Sequence, residues 1–241
     1  MAIPLLPAKP VGFPTPDQAL TEPDGLLAAG GDLTVEWLVT AYAHGIFPWF
    51  GEEDEHILWW SPGERAWLAP GSMRVTRSLK KRLRNTDFRV CTDRNFAAVV
   101  AGCQAPRSQQ DGTWITQAMA EAYQRLHQRG LAHSFETYLD GQLVGGLYGV
   151  SLGRWFFGES MFSQVPDASK VAFFGLSQVL QAWSFTGIDC QLANPHLQTL
   201  GVAMQPRHEF LQQLANNSLA DTRQGTWQID ESSANLLQYA G

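Results

Sequence analysis

Cysteine is scarce. Cys91, Cys103 and Cys190 are the only three in 241 residues. Odd in number and widely spaced, they form no C-x-x-C pair, and H-E-x-x-H is also absent, so neither a disulfide scaffold nor a metal site is indicated. The expected compartment is reducing, the cytoplasm. No apolar run reaches the ~18 residues a membrane span needs. The opening MAIPLLPAKPVGFPTP has no basic end, and prolines break its apolar stretch, so it reads as ordered coil rather than a targeting segment. There is no Walker loop, no G-x-G-x-x-G and no G-x-S-x-G, which removes the main support for nucleotide binding and serine hydrolysis. Charge is sparse too, at 17% with a net of −6, so any nucleic-acid partner must be met by a local basic patch.

Such a patch exists. Arg74, Arg77, Lys80, Lys81, Arg82, Arg84, Arg89 and Arg94 stand against only Asp87 and Asp93. TRSLKKRLRN reads as a short helix capped by Thr76, with Leu79 and Leu83 turned to the core and the other sides basic. A solvated helix face is the ordinary meaning of such a run. Same-sign crowding within an acidic protein also fits phosphate binding.

A composition that is 44% hydrophobic fits one large domain or two small ones with a real core. No internal repeat or low-complexity segment occurs. Up to about Pro70 the chain is rich in Pro, Gly and Trp, with one clear helix capped by Thr34 and ended by Gly45. From about Gly71 the pattern predicts helices at 76–84, 94–103, 116–129, 168–185, 195–200 and 206–216. Strands are predicted at 88–92, 132–139, 142–150, 154–162 and 187–193. Asp140-Gly141 between two strand-like runs marks a hairpin. Antiparallel strands followed by a long helix and another strand indicate an α+β class with a mixed sheet. Residues 218–241 are weakly patterned, and either fold over the surface or fray.

The stretch RWFFGESMFS sets Glu159 among apolar residues. On a regular strand it shares a face with Trp155, Phe157 and Met161. A carboxylate there costs several kcal/mol unless paired, hydrogen-bonded or protonated. It is either held by a neighbouring Arg or backbone N–H groups, or it is the polar anchor of an apolar ligand pocket. In GIDCQLANPH a strand points Asp189 and Gln191 one way and Cys190 the other, and Asn194-Pro195 then opens a helix. Asp189 either caps a neighbouring loop or serves a site. Of the nine tryptophans, several lie in Gly/Pro-rich loops, where they plug cores or stack on bases.

In order along the chain, FPTPDQALTEPDGLLAAGGDLTVEWLVTAYAHGIFPWF, LWWSPGERAWLAP, DGTWIT, GESMFS, ASK, IDCQ and HLQTLG resemble the leucyl/phenylalanyl-tRNA–protein transferases. The resemblance runs from about Phe13 to Leu214. Departures are small: Val35 where a proline commonly follows GGDL, Gly63-Glu64 after WWSP, and Thr199 for a serine. The resemblance implies a small N-terminal domain, 1–70, followed by an acetyltransferase-like (GNAT-like) mixed-sheet domain, 71–241. It implies transfer of Leu or Phe, with Met a further candidate, from aminoacyl-tRNA to the α-amino group of proteins beginning with Arg or Lys, as a degradation signal. No metal and no coenzyme A are implied, and no membrane. Pyrophosphate-loop near-misses at 142–147 and 109–114 both end on bulky side chains.

By resemblance, Trp114, Tyr123, Leu147, Phe156, Phe173 and Leu176 line the pocket for the donor side chain, with Glu159 at its edge. A β-bulge at Gly158 would bring Phe156 and Glu159 to the same pocket. Trp49 is the implied platform for the terminal adenosine, and Asp189, Gln191 and Glu159 form the catalytic set. An aminoacyl ester is already activated, and an α-amine with a pKa of about 7.7–8 is partly neutral at pH 7, so no strong base is demanded. Asp189 and Gln191 are expected to orient the amine for direct attack without an acyl-enzyme. Arg77, Lys80, Lys81, Arg82 and Arg84 are the expected tRNA contacts, and the default assembly is a monomer. The rival readings are a coenzyme A-dependent N-acetyltransferase, a non-enzymatic tRNA-binding module and a peptide adaptor for basic N-termini.

Overall fold

A computed structural model describes residues 3–105 and 115–237. Two sheets organise the chain. The smaller has four short strands: β1 (Leu5–Leu6), β2 (Leu26–Gly30), β3 (Phe47–Pro48) and β4 (Leu58–Trp60), in the order β1-β2-β4-β3. Helix α1 (Val35–Ala43) stands between β2 and β3. Thr34 accepts the Trp37 N–H as its N-cap.

The larger sheet has eight strands, in the order β11-β5-β10-β9-β8-β7-β6-β12. Strand β5 (Glu64–Leu68) precedes residue 70 in sequence, yet it is hydrogen-bonded into this sheet between β10 (Gly187–Gln191) and β11 (Ala203–Pro206). The centre is a meander of β6 (Arg89–Thr92), β7 (Ala132–Leu139), β8 (Gln142–Leu152) and β9 (Trp155–Ser163), antiparallel throughout. The β7–β8 turn is the expected one: Asp140 and Gly141 have φ of 50° and 76°, the left-handed pair a two-residue hairpin requires. The mixed α+β class and the predicted strands and helices of this half are all present. The short strands β5, β11 and β12 (Asp230–Ser232) were not read from the sequence.

Both faces of the sheet are covered. Along β8 and β9, Tyr148, Val150, Trp155 and Phe157 face one core, which α1, α3 (Phe96–Gln104) and α4 (Gln117–Gln128) complete. Leu147 and Phe156 face the other, closed by α5 (Ala168–Ala182), α2 (Arg77–Asn85) and α8 (Ser233–Leu236). Period-two alternation produces this division. The described part of the C-terminal segment folds over the sheet: β12 pairs with β6, and buried Trp227 stacks on His133 at 3.7 Å. Two further helices, α6 (Pro195–Thr199) and α7 (Arg207–Ala215), follow β10 and β11.

Candidate active site

All ladder pairs of the large sheet are antiparallel except β9 with β10, which run parallel over only Trp155–Phe157 and Gly187–Asp189. Beyond that point both strands deviate. On β9, Gly158 pairs with Gly149 and Ser160 with Tyr148, which leaves Glu159 as an extra, unpaired residue. On β10, Asp189 pairs with Trp67 and Gln191 with Ala66, which leaves Cys190 extra, and Gln191 takes a φ of 57°. These are β-bulges, which bend a strand and re-aim its side chains. Two on adjacent strands drive them apart, and a cavity of about 290 Å³ opens where they part.

The expected bulge at Gly158 is therefore present, and it corrects the expected face of Met161. Before the bulge, Trp155 and Phe157 share the core of α1, α3 and α4; after it, Phe162 lies on that side and Met161 packs towards α5. The extra residue reverses the alternation.

Leu147, Met161, Phe173, Leu176, Ile188 and Leu197 form an apolar wall. Phe47, Pro48 and Trp49 of the small sheet line another side, and Trp49 is 40% exposed with its ring edge-on to Trp60. The polar members include Glu159, Ser160, Gln191 and Asn194, with Tyr148 beside them. Asn194 also caps α6, accepting the Leu197 N–H at 2.8 Å.

Glu159 keeps some exposure through the pocket while protein encloses it on the other sides. Its Oε1 accepts from Tyr42 Oη at 2.7 Å and from Gln191 Nε2 at 2.9 Å, and its Oε2 accepts from Tyr123 Oη at 2.6 Å. The Tyr42 and Tyr123 hydroxyls also touch each other at 2.6 Å. Burial pushes the carboxyl pKa up to about 7, and Asp189 nearby adds to the rise; taken one at a time as donors to an ionised carboxylate, Tyr123, Tyr42 and Gln191 act against it. Burial, then the Glu159 charge, pushes the phenols of Tyr42 and Tyr123 well above the ordinary tyrosine value.

Asp189 lies behind the pocket rather than in it. It is fully buried, and Arg65 on β5 grips it twice, Nε to Oδ1 at 2.8 Å and Nη2 to Oδ2 at 2.6 Å. Arg65 also donates to Gly45 O at 3.1 Å and lies between the Phe47 and Phe210 rings, 4.8 and 4.7 Å from their centroids. Asp189 Oδ1 in turn accepts the Gln191 N–H at 2.9 Å, pinning the left-handed residue whose side chain reaches Glu159. The result is a chain from Arg65 through Asp189 and Gln191 to Glu159. Burial and the Asp189 charge push the Cys190 thiol well up, so this pocket-lining cysteine has no thiolate to offer.

Of the residues the sequence put forward, Trp49, Leu147, Phe173, Leu176, Glu159 and Gln191 line one cavity, and Tyr123 reaches its carboxylate. Phe156 is fully buried beneath, in the core of α5. Trp114 lies outside the described residues. On α2, Arg77, Lys80, Lys81 and Arg84 are exposed, while Arg82 is half-buried, donating to Pro166 O at 3.1 Å. Sequence reasoning missed Arg65 and gave Tyr42 no part in the site. A lone arginine followed by Ala-Trp-Leu was the available signal for the first.

The α+β fold thus has a central sheet that parts around an apolar pocket with a single carboxyl at its floor, the form of a site for one small apolar group. The family model described as leucyl/phenylalanyl-tRNA protein transferase matches residues 67–215, and that of its N-terminal domain matches residues 31–63. A leucyl/phenylalanyl-tRNA–protein transferase of Aromatoleum aromaticum is 50% identical over 231 residues, 96% of this chain and 97% of that protein. One of Stutzerimonas stutzeri is 53% identical, covering 85% of this chain and 90% of that one, and one of Chromobacterium violaceum is 54% identical, covering 89% and 91%. This chain belongs to the leucyl/phenylalanyl-tRNA–protein transferase family. Among solved structures, L-PGS from Bacillus licheniformis matches with a TM-score of 0.40 and 13% identity over 70% of this chain and 54% of that one, too slight a likeness to bear on fold or function.

Proposed function

We propose that this chain moves Leu or Phe from aminoacyl-tRNA to the α-amino group of proteins that begin with Arg or Lys. The observation that carries the reading is the pocket itself. Apolar walls suited to an aliphatic or aromatic side chain end on Glu159 and Gln191, the polar groups an ester and an amine need. Leu147, Phe173 and Leu176 hold the donor side chain, and Trp49 at the rim carries the terminal adenosine. The exposed α2 cations Arg77, Lys80, Lys81 and Arg84, with Arg82 beside them, hold tRNA phosphates.

The acceptor nitrogen attacks the ester carbonyl carbon, the C–N bond forms, and the bond to the ribose oxygen breaks. One amine proton leaves the nitrogen, and the ribose oxygen gains one. Glu159, the acid that reaches the pocket, mediates that exchange. Gln191 orients it, and Asp189, held by Arg65, acts through Gln191 without touching substrate. Proximity supplies most of the acceleration, since the ester is already activated.

The arrangement also supports an acetyltransferase-like core: one parallel strand pair in a mostly antiparallel sheet, a bulge, and strands that part. A smaller N-terminal unit built on the four-stranded sheet precedes it, with β5 lent to the larger sheet. The protein acts as a monomer, and among the described residues no helix is long and apolar enough to cross a membrane. Mixing labelled Leu-tRNA with a protein starting in Arg tests the reading: label should pass to the protein. Label that stays on the tRNA, or acetyl transfer from coenzyme A, would sink it.

A further inference from the structure

Tyr42, Tyr123 and Glu159 make three oxygen–oxygen contacts among themselves, of 2.6, 2.7 and 2.6 Å. Each contact needs one proton, and two phenols bring only two. If Glu159 is ionised, both hydroxyls donate to it, and the contact between the phenols is left with two oxygens facing each other and no hydrogen between them. If Glu159 is protonated, every contact is served. The carboxyl donates to one tyrosine, that tyrosine donates to the other, and the second donates back to the free carboxyl oxygen. Both phenols are fully buried, so bulk water cannot supply the missing proton.

The surroundings do not replace it. Tyr42 comes from α1 and Tyr123 from α4; Tyr148 of β8 packs edge-on to Tyr123 with ring centroids 5.3 Å apart, and its buried hydroxyl has no hydrogen-bond partner among the described residues. From β10, Gln191 donates to Oε1 in either state, Cys190 lines the pocket, and the Asp189 charge is met by Arg65 of β5.

We infer that Tyr42 and Tyr123 are positioning residues for the transfer reaction, closing a ring of hydrogen bonds that keeps Glu159 protonated in the free protein. The inference rests on the transferase reading for its use, because Glu159 then enters the reaction as a neutral acid already aligned with the pocket. A carboxylate that merely collected donors would behave in the opposite way. Each lost donor would make it a weaker carboxylate and raise its pKa. In the ring, removing one phenol abolishes the protonless contact of the ionised state and leaves the acid proton of Glu159 without its place in the cycle, so the pKa falls.

The test is a pH titration of the full chain without tRNA, followed by the infrared carbonyl band of a protonated carboxyl and assigned by its loss in Glu159→Gln. Tyr42→Phe and Tyr123→Phe should each lower the midpoint, by roughly 0.5–1 pH unit for one hydrogen bond's worth of energy. Tyr148→Phe, next to the ring but outside it, should leave the midpoint in place. A midpoint that rises or stays put in either ring variant overturns the proposal, as does an equal fall in Tyr148→Phe. Because tRNA is absent, a lowered midpoint in a protein that fails to transfer Leu upholds the ring and overturns the transferase reading alone.

Discussion

Replacing Asp189 by Ala would strand the Arg65 guanidinium, 1% exposed and gripped at 2.6 and 2.8 Å, with Gly45 O as its remaining polar partner. Breaking a buried pair from one side costs about 3–5 kcal/mol, against a typical total stability of about 5–15 kcal/mol. At roughly 2–4 °C per kcal/mol for a chain of this size, the melting temperature should fall by about 6–20 °C. Taking away the charge as well should relieve most of that loss, so Arg65→Met/Asp189→Ala should be more stable than Asp189→Ala alone. The same substitution removes the acceptor of the Gln191 N–H, so the single-turnover transfer rate at saturating aminoacyl-tRNA should drop while donor binding stays nearly intact. Asp189→Asn, which keeps an oxygen for that N–H, should retain part of the rate. Urea unfolding of the parent, Asp189→Ala, Arg65→Met and the double variant, and quench-flow transfer by the parent, Asp189→Ala and Asp189→Asn, provide the measurements. A double variant destabilised by the sum of the two singles would refute the coupling, and an unchanged rate in Asp189→Ala would refute the link to Gln191.

Trimming Leu147 or Phe173 to Ala should relax discrimination among apolar donors rather than abolish transfer, since one methylene in such a pocket is worth only about 1–3 kcal/mol; competition between Leu-, Ile- and Phe-charged tRNA measures it, and equal use of Ile and Leu by the parent would defeat the pocket assignment. Glu159 titrates at about 7 instead of 4.5, so between those values the folded chain holds a proton that the unfolded chain has lost. Its contribution to stability is complete below the unfolded value and is lost as pH rises through the folded one, roughly 3 kcal/mol in all. Relative to Glu159→Gln, the parent should therefore be less stable at about pH 8 than at about pH 5, and denaturant titrations showing a constant difference would contradict this. On α2, replacing two of Arg77, Lys80, Lys81 and Arg84 by Ala should flatten the plot of log K against log salt by roughly 1–2 units for intact tRNA and barely alter transfer from an aminoacyl-adenosine. Equal loss on both donors would mean that the helix supports the fold instead.

What could be read in advance was local. The Asp140-Gly141 hairpin, the Thr34 and Thr76 caps and the Asn194 cap are written in two to four adjacent residues, and each is in place. The Gly158 bulge was expected because the resemblance put Phe156 and Glu159, three residues apart, in one pocket; the bulge is there, but it brings only Glu159 to the pocket. Arg65 meets Asp189 across 124 residues and Tyr42 meets Glu159 across 117, and no periodicity reports such a pairing. For the same reason Asp189 read as a group facing substrate: its strand shows the alternation, but not the guanidinium that waits on β5. The short strands β5, β11 and β12 were missed because three to five residues carry too little pattern to compete with the loops around them. Phe156 precedes the bulge, so it stays on the regular face of β9, beneath the pocket rather than in it.

The extra residue in β9 makes the site sensitive to parity as well as to chemistry. Upstream of Glu159 the odd-numbered Trp155 and Phe157 face the α1, α3 and α4 core; downstream it is the even-numbered Phe162 that does so. Removing any one residue between Gly158 and Ser160 would let β9 run on in step with β8, as an ordinary ladder. Met161 would keep the α5 side, and the strand would close over the space the carboxyl now occupies. The chain would gain an unbroken β8–β9 ladder and lose the carboxyl on which its pocket ends.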